Sequence, residues 1–274
     1  MIEHQRKFIN LRKHISTIAF ILYISISFSQ NEKCYDSKLF ISQLDTLKYR
    51  IMMPKNFDAS KQYPIILFLH GAGERGNDNT AQLIHGSSLF ASKKNRKKFP
   101  AIVVFPQCPT DSYWAKVDID RSSYPLKIEF PENATPTKPL ELVMKLMDDF
   151  VSKPYVNKNQ IYVGGMSMGG MGTFEILARK PKMFAAAIAI CGAGNPKLSK
   201  EYAESTPLWV FHGAKDNVVN PQESVSMVSG ILKHGGFPNF TLYANDTHNS
   251  WDSVFAEPEL LSWLFSNNKN QTNE

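Results

Sequence analysis

Six short apolar runs, with helical patterns between them, leave this chain very few architectures. The runs are residues 65–69, 101–105, 160–163, 185–190, 208–211 and 240–243. A strand with one face in water alternates apolar and polar residues; a strand covered on both faces does not. The intervening patterns have the helical period. Leu140, Val143, Met144, Met147, Phe150 and Val151 recur at three- and four-residue steps, and Lys153-Pro154 ends that segment. Residues 170–180 stop at Pro181, 221–234 run from Pro221 to Gly235-Gly236, and 257–266 close the series. Two earlier strands are expected at 38–43 and 47–53, and a frayed polar tail at 267–274. Strand–helix alternation of this kind predicts an α/β fold with a mostly parallel central sheet and helices on both faces. A chain of 274 residues suits a single domain of that type, and no internal repeat is visible.

The first 29 residues read as an export signal rather than as part of the fold. Arg6, Lys7, Arg12 and Lys13 form a basic start, and residues 15–28 are largely apolar with small residues interspersed. Ser27 and Ser29 suit a cleavage site, so the catalytic domain is expected to span 30–274. The apolar stretch is short for a bilayer span, which needs about 20 apolar residues, so no stable membrane insertion is expected after cleavage. Cys34 lacks the preceding residues of a lipid-anchor signal. The protein is therefore expected in the periplasm or outside the cell.

Removing that segment changes the charge argument. The whole chain carries +6, and without the first 29 residues 27 basic and 24 acidic groups leave +3. That is too mild a charge to imply a nucleic-acid partner. One basic run, Lys93, Lys94, Arg96, Lys97 and Lys98, reads as a solvated loop. Of three cysteines, Cys108 and Cys191 each lie just past a strand at the same end of the sheet, and a bridge between them stays open. The Cys/His spacing matches no zinc site.

The sequence with the most chemical content is Gly165-Met166-Ser167-Met168-Gly169, which follows a strand and opens a helix. In that context G-x-S-x-G forms a nucleophile elbow: a sharp turn lifts the Ser oxygen clear of the sheet, and small neighbours permit the close approach. A serine needs a base held by a third group. Of the histidines that follow, His234 stands at a helix end and His212 is expected to brace a loop. His248, in the loop after the last strand, is the expected base. Asp216 is the only carboxylate in the loop after the penultimate strand, and Asp246 is its weaker competitor, more suited to holding its own turn. Asp216 follows Ser167 by 49 residues, and His248 follows Asp216 by 32. Two backbone amides must face the developing oxyanion. The Met168 amide is one candidate, and Ala72, in His70-Gly71-Ala72-Gly73-Glu74-Arg75-Gly76, is the other, with Gly71 or Gly73 as neighbours. Glu74 and Arg75 are expected to fix that loop by local ion pairing rather than to bind substrate.

With these blocks in place the chain resembles small secreted α/β-hydrolases described as predicted peptidases or carboxylesterases, related to feruloyl and acetylxylan esterases and to polyhydroxybutyrate depolymerases. The resemblance rests on residues 70–76, Pro106-Gln107-Cys108-Pro109 with Trp114, residues 165–170, and Cys191-Gly192-Ala193-Gly194. It continues through His212-Gly213 with Asp216 and His248 with Trp251, and so spans nearly all of the chain after the signal. It implies an α/β-hydrolase fold, Ser167, Asp216 and His248 as a triad, and Trp114 and Trp251 near the cleft as substrate contacts, with core or rim packing as the alternative for both rings. The chain departs from the pattern in carrying Tyr113 before Trp114, where the relatives often have a paired Trp.

Together these residues predict acyl transfer to water with no metal or organic cofactor. Ester substrates, small or on acylated polysaccharides and their fragments, are expected by analogy. The alternatives are a serine peptidase of prolyl-oligopeptidase-like type and a binding protein that keeps the fold without the activity.

Overall fold

The computed structural model describes residues 33–131 and 134–270, so the expected signal segment and its cleavage site lie outside the described residues. An eight-stranded sheet organises the chain. Its strands are β1 (Asp36–Ser42), β2 (Asp45–Met52), β3 (Tyr63–Leu69), β4 (Ile102–Pro106), β7 (Val156–Met166), β8 (Ala186–Ile190), β9 (Leu208–Gly213) and β10 (Asn239–Tyr243), while β5 (Asp118–Asp120) and β6 (Lys127–Glu129) form a separate hairpin. The order across the sheet is β1-β2-β4-β3-β7-β8-β9-β10. β1 and β2 pair antiparallel, β2 meets β4 antiparallel, and every later neighbour is parallel. The fold is that of the α/β-hydrolases, in one domain.

Each apolar run became a strand, and for the inner strands the reason is visible in burial, whereas the edge strand β10 has no buried position. β4 and β8 are buried at every position, and Ile65, Leu67 and Leu69 of β3 have no exposure. Helices cover both faces. The α3 (Lys138–Ser152), α4 (Met168–Arg179) and α5 (Pro221–Lys233) helices contribute Leu146, Phe174 and Met227 to one core, against Leu67 and Val104. On the other face Phe90, from α1 (Ser87–Ala91), and Leu261 and Leu264, from α7 (Leu260–Ser266), pack with Phe68 and Phe105. No helix among the described residues is long and apolar enough to cross a membrane.

Several elements differ from the sequence reading. The basic run is not a loop but a short helix, α2 (Lys93–Lys98), because the Ser92 hydroxyl accepts from the Asn95 amide at 3.2 Å and caps it. β7 extends beyond the expected 160–163 to Met166, since Gly165 pairs with Leu69 and Met166 with Ile190. The last expected helix, 257–266, begins only at Leu260 as α7, and a further short helix not expected from sequence, α6 (Trp251–Ala256), precedes it across Glu257-Pro258. Cys108 and Cys191 are buried free thiols, not a bridge.

Candidate active site

The turn between β7 and α4 places Ser167 at φ 53°, ψ −117°, a conformation that costs an L-residue about 1–3 kcal/mol. Flanking glycines make it attainable. A Cβ on Gly169 would stand 1.9 Å from the Leu69 carbonyl oxygen, and one on Gly165 would stand 2.3 Å from the Gly169 oxygen. The turn is anchored by the Ser167 amide donating to the Ile190 carbonyl at 2.8 Å and the Met171 amide donating to the Ser167 carbonyl at 3.0 Å.

Three loops at the carboxyl end of the sheet bring the remaining groups to this serine. Ser167 Oγ is 2.9 Å from His248 Nε2, and His248 Nδ1 is 2.7 Å from Asp216 Oδ2. With Nδ1–H donating to the carboxylate, Nε2 has its lone pair free to accept the serine proton. The Asp216 carboxylate is held on both oxygens. Oδ1 accepts the amides of Val218 at 2.8 Å and Val219 at 3.0 Å, while Oδ2 also takes His212 Nε2 at 3.1 Å. Burial alone would raise this carboxyl, but the hydrogen bonds from His212 and His248, the His248 charge and the Val218 amide outweigh it and hold Asp216 well below the usual carboxylate range. The acid and base loops are also joined through backbone: the Ala214 amide donates to the Tyr243 carbonyl and the Lys215 amide to the Asp246 carbonyl, both at 2.9 Å. Asp246 therefore contributes its carbonyl here, while its buried Oδ2 makes no hydrogen bond.

Ala72 and Met168 line the same cleft as Ser167 and His248. Met168 is the first residue of α4, so its amide has no acceptor within the helix. Ala72 opens a 3-10 turn, Ala72–Glu74, directly after β3 and Gly71. The expected Glu74–Arg75 ion pair is not what fixes this loop. Arg75 instead donates to three carbonyls: Nε to Ala72 at 3.0 Å, and Nη1 to Thr110 at 2.9 Å and Ser112 at 3.2 Å. Glu74 turns the other way, with Oε1 3.7 Å from His85 Nε2, and burial raises its carboxyl. Below the loop His70 has its Nδ1 2.6 Å from the Gly71 carbonyl and accepts the Cys108 amide on Nε2 at 3.0 Å.

The two tryptophans part company. Trp251 lines the cleft, its ring centroid 5.4 Å from that of His248 at a steep 84°. Trp114 does not line it. It has no exposure at all, and Gly172 lies so close that a Cβ there would meet Trp114 Cβ at 2.5 Å. Trp114 therefore packs beneath the site as core, which corrects its expected place as a substrate contact. His212 does brace a loop, and the residue it braces is Asp216 itself; His234 is occupied with Ser199 Oγ at 2.8 Å. Tyr113, noted from sequence as a departure from the paired Trp, also lines the cleft, as does Arg121, which was not singled out. Arg121 follows a three-residue strand with no apolar run to mark it.

Cys191 Sγ, an Asp216 oxygen and a His248 nitrogen lie within 4.8 Å of one another. A metal there would have to displace the His248–Asp216 hydrogen bond and take the proton from a thiol whose pKa burial pushes up. The cleft over Ser167 holds about 230 Å³. A larger hollow of about 380 Å³, between Asp45, Lys48, Gln107 and Lys138, contains no member of the Ser–His–Asp set.

Comparison with known proteins agrees with this geometry. The model of a family described as "Putative esterase" matches residues 44–264. A solved thermostable esterase superposes with a TM-score of 0.78 at 31% identity, covering 87% of this chain and 64% of its own. The bifunctional acetylxylan esterase/xylanase XynS20E of Neocallimastix patriciarum is 29% identical over 98 residues, 36% of this chain and 14% of that protein. Probable carboxylesterase Os04g0669600 of Oryza sativa subsp. japonica is 29% identical over 180 residues, 59% of this chain and 71% of that protein. The chain thus spans about one-seventh of the length of the first of these curated relatives and less than two thirds of the thermostable esterase.

Proposed function

The chain belongs to this esterase family, and from that premise we propose that it is a serine hydrolase of carboxylic esters with Ser167 as nucleophile, His248 as general base and Asp216 as the group that orients and charges the imidazole. The observation that carries the reading is the continuous relay from Ser167 Oγ through both nitrogens of His248 to Asp216 Oδ2, at 2.9 and 2.7 Å. In the first half-reaction Ser167 Oγ attacks the ester carbonyl as its proton passes to His248 Nε2. The imidazolium is stabilised by Asp216 and then protonates the departing alcohol. The amides of Ala72 and Met168 hold the oxyanion, each donor of this kind contributing roughly 10²–10³-fold in rate. Water, deprotonated by the same imidazole, releases the acid and restores Ser167.

Trp251 is the proposed wall against which a substrate group packs, and its edge-on ring contact also limits rotation of His248. The finer reading is an exported enzyme that removes acyl groups from polysaccharides or their fragments. Support for it comes from the basic and apolar character of residues 1–29 and from the acetylxylan esterase named among the relatives. The test is hydrolysis of p-nitrophenyl acetate by the wild type and by Ser167→Ala. Turnover in the wild type and its loss in the variant is the expected result. Equal turnover in both removes Ser167 from the reaction, and cleavage of peptides without any ester turnover replaces the esterase reading with a peptidase.

A further inference from the structure

The cleft over Ser167 is apolar on most of its wall, with Ile119, Leu126, Met171, Val218 and Val219 among its lining. One arginine lines it, Arg121, in the connection of the β5–β6 hairpin. Arg121 Nη2 donates to the Tyr113 hydroxyl, and the other face of this arrangement is rigid: the Arg75 guanidinium lies 4.6 Å from the Tyr113 ring centroid and is itself tied to three backbone carbonyls. Tyr113 is thus held by one arginine and holds another. Among the described residues no carboxylate lies within ion-pair distance of Arg121. The nearby Asp120 is turned to its own turn, accepting the Ser122 amide at 2.8 Å, and stands 3.7 Å from Lys127. The carboxylate in the cleft lining, Glu74, is buried and faces His85.

A guanidinium that lines an apolar cleft, keeps most of its N–H groups and has no acidic partner is suited to a planar anion. Resting on the esterase reading above, we infer that Arg121 is a specificity-determining residue that selects esters carrying a second, free carboxylate. The carboxylate could belong to either half of the substrate: a monoester of a dicarboxylic acid places it in the acyl group, and an ester of an acidic alcohol places it in the leaving group. Arg121 takes no part in bond making. Its effect is to favour the charged substrate over a neutral one of the same shape. Because Arg121 is solvent-exposed, the preference is of the order of two- to fivefold and weakens with salt.

The experiment compares kcat/KM within two matched pairs. Mono-p-nitrophenyl succinate against p-nitrophenyl butyrate varies charge in the acyl group; 4-carboxyphenyl acetate against its methyl ester varies it in the leaving group. The charged-to-neutral ratio is measured for the wild type, Arg121→Gln and Arg121→Lys. Taking a ratio within one protein cancels any loss of folded enzyme. The expected result is a ratio that falls about two- to fivefold in Arg121→Gln for one of the pairs, with part of it retained in Arg121→Lys and reduced for the wild type at 0.5 M salt. The pair that responds identifies which half of the ester faces the arginine. Ratios unchanged by Arg121→Gln in both pairs overturn the inference and leave the esterase reading intact. A wild type that turns over none of the four esters overturns both.

Discussion

The indole N–H of Trp114 donates to the backbone carbonyl of His70 at 3.0 Å, from a position with no solvent exposure. This bond joins a core side chain to the residue at which β3 gives way to the loop bearing Ala72. It explains why an aromatic residue close in space to the cleft belongs to the framework. Trp114 sets the height of the loop from below, and the His70 ring, bonded to Gly71 and Cys108, sets it from the side.

Trp114→Ala should therefore destabilise the protein by about 3–5 kcal/mol, the usual cost of emptying a buried aromatic site. Trp114→Phe keeps most of the volume and loses the hydrogen bond, and should cost less than the alanine variant. Denaturant unfolding of the two variants beside the wild type measures both.

His70 is neutral for the same structural reason. Burial pushes its pKa down from 6.5 to about 4, against the Gly71 carbonyl that favours the protonated ring. Between those values the unfolded chain holds a proton that the folded chain does not, so stability rises with pH across the window. Acidification from pH 6.5 to 4 should remove up to about 3 kcal/mol through this one group. His70→Asn cannot titrate, so its stability profile should be flatter over that interval. The Asp216 carboxyl acts in the same direction but below its ordinary value of 3.8, which separates the two contributions. Melting temperatures at half-unit pH steps provide the comparison.

Asp216→Asn should lower kcat for an activated ester by about 10³–10⁴-fold, since the amide favours the wrong tautomer of His248. Asp246→Asn should change kcat little, because its carboxylate touches neither histidine. A large loss in the second variant with little in the first would reverse the assignment of the acid.

Close approach at the elbow gives a contrast in stability. Gly169→Ala drives a methyl group to within 1.9 Å of the Leu69 carbonyl oxygen, where only backbone can give way. That variant should express poorly or unfold at much lower denaturant. Gly73→Ala, two residues beyond the loop's Gly71, meets nothing within 4 Å and should fold normally.

What the sequence disclosed follows from how local each feature is. The sheet was legible because strands covered on both faces must be apolar throughout, as β4 and β8 are. The elbow was legible because its steric demand falls on adjacent residues, Gly165 to Gly169. The placing of Asp216 needed only the order of strands and loops. Trp114 was misplaced because a tryptophan beside a family motif has the same letter whether its ring faces the cleft or the core. The ion pair expected between Glu74 and Arg75 failed for a related reason: three carbonyls from two loops make a better site for the guanidinium than the adjacent carboxylate. The β5–β6 hairpin left no trace at all. Each strand has three residues, and only Ile119 and Ile128 form its apolar cross-strand pair.

That hairpin forms its own two-stranded sheet and, among the described residues, shares no strand pairing with the eight-stranded one. The Leu126 amide ties it to the acid loop by donating to the Val218 carbonyl at 2.9 Å. The proposed substrate wall is thus partly an appendage, while Ser167, His248 and Asp216 are held by the main sheet and its loops. On the proposed reading, a graft that replaces the appendage alone changes which substrate is accepted without touching the Ser167–His248–Asp216 relay.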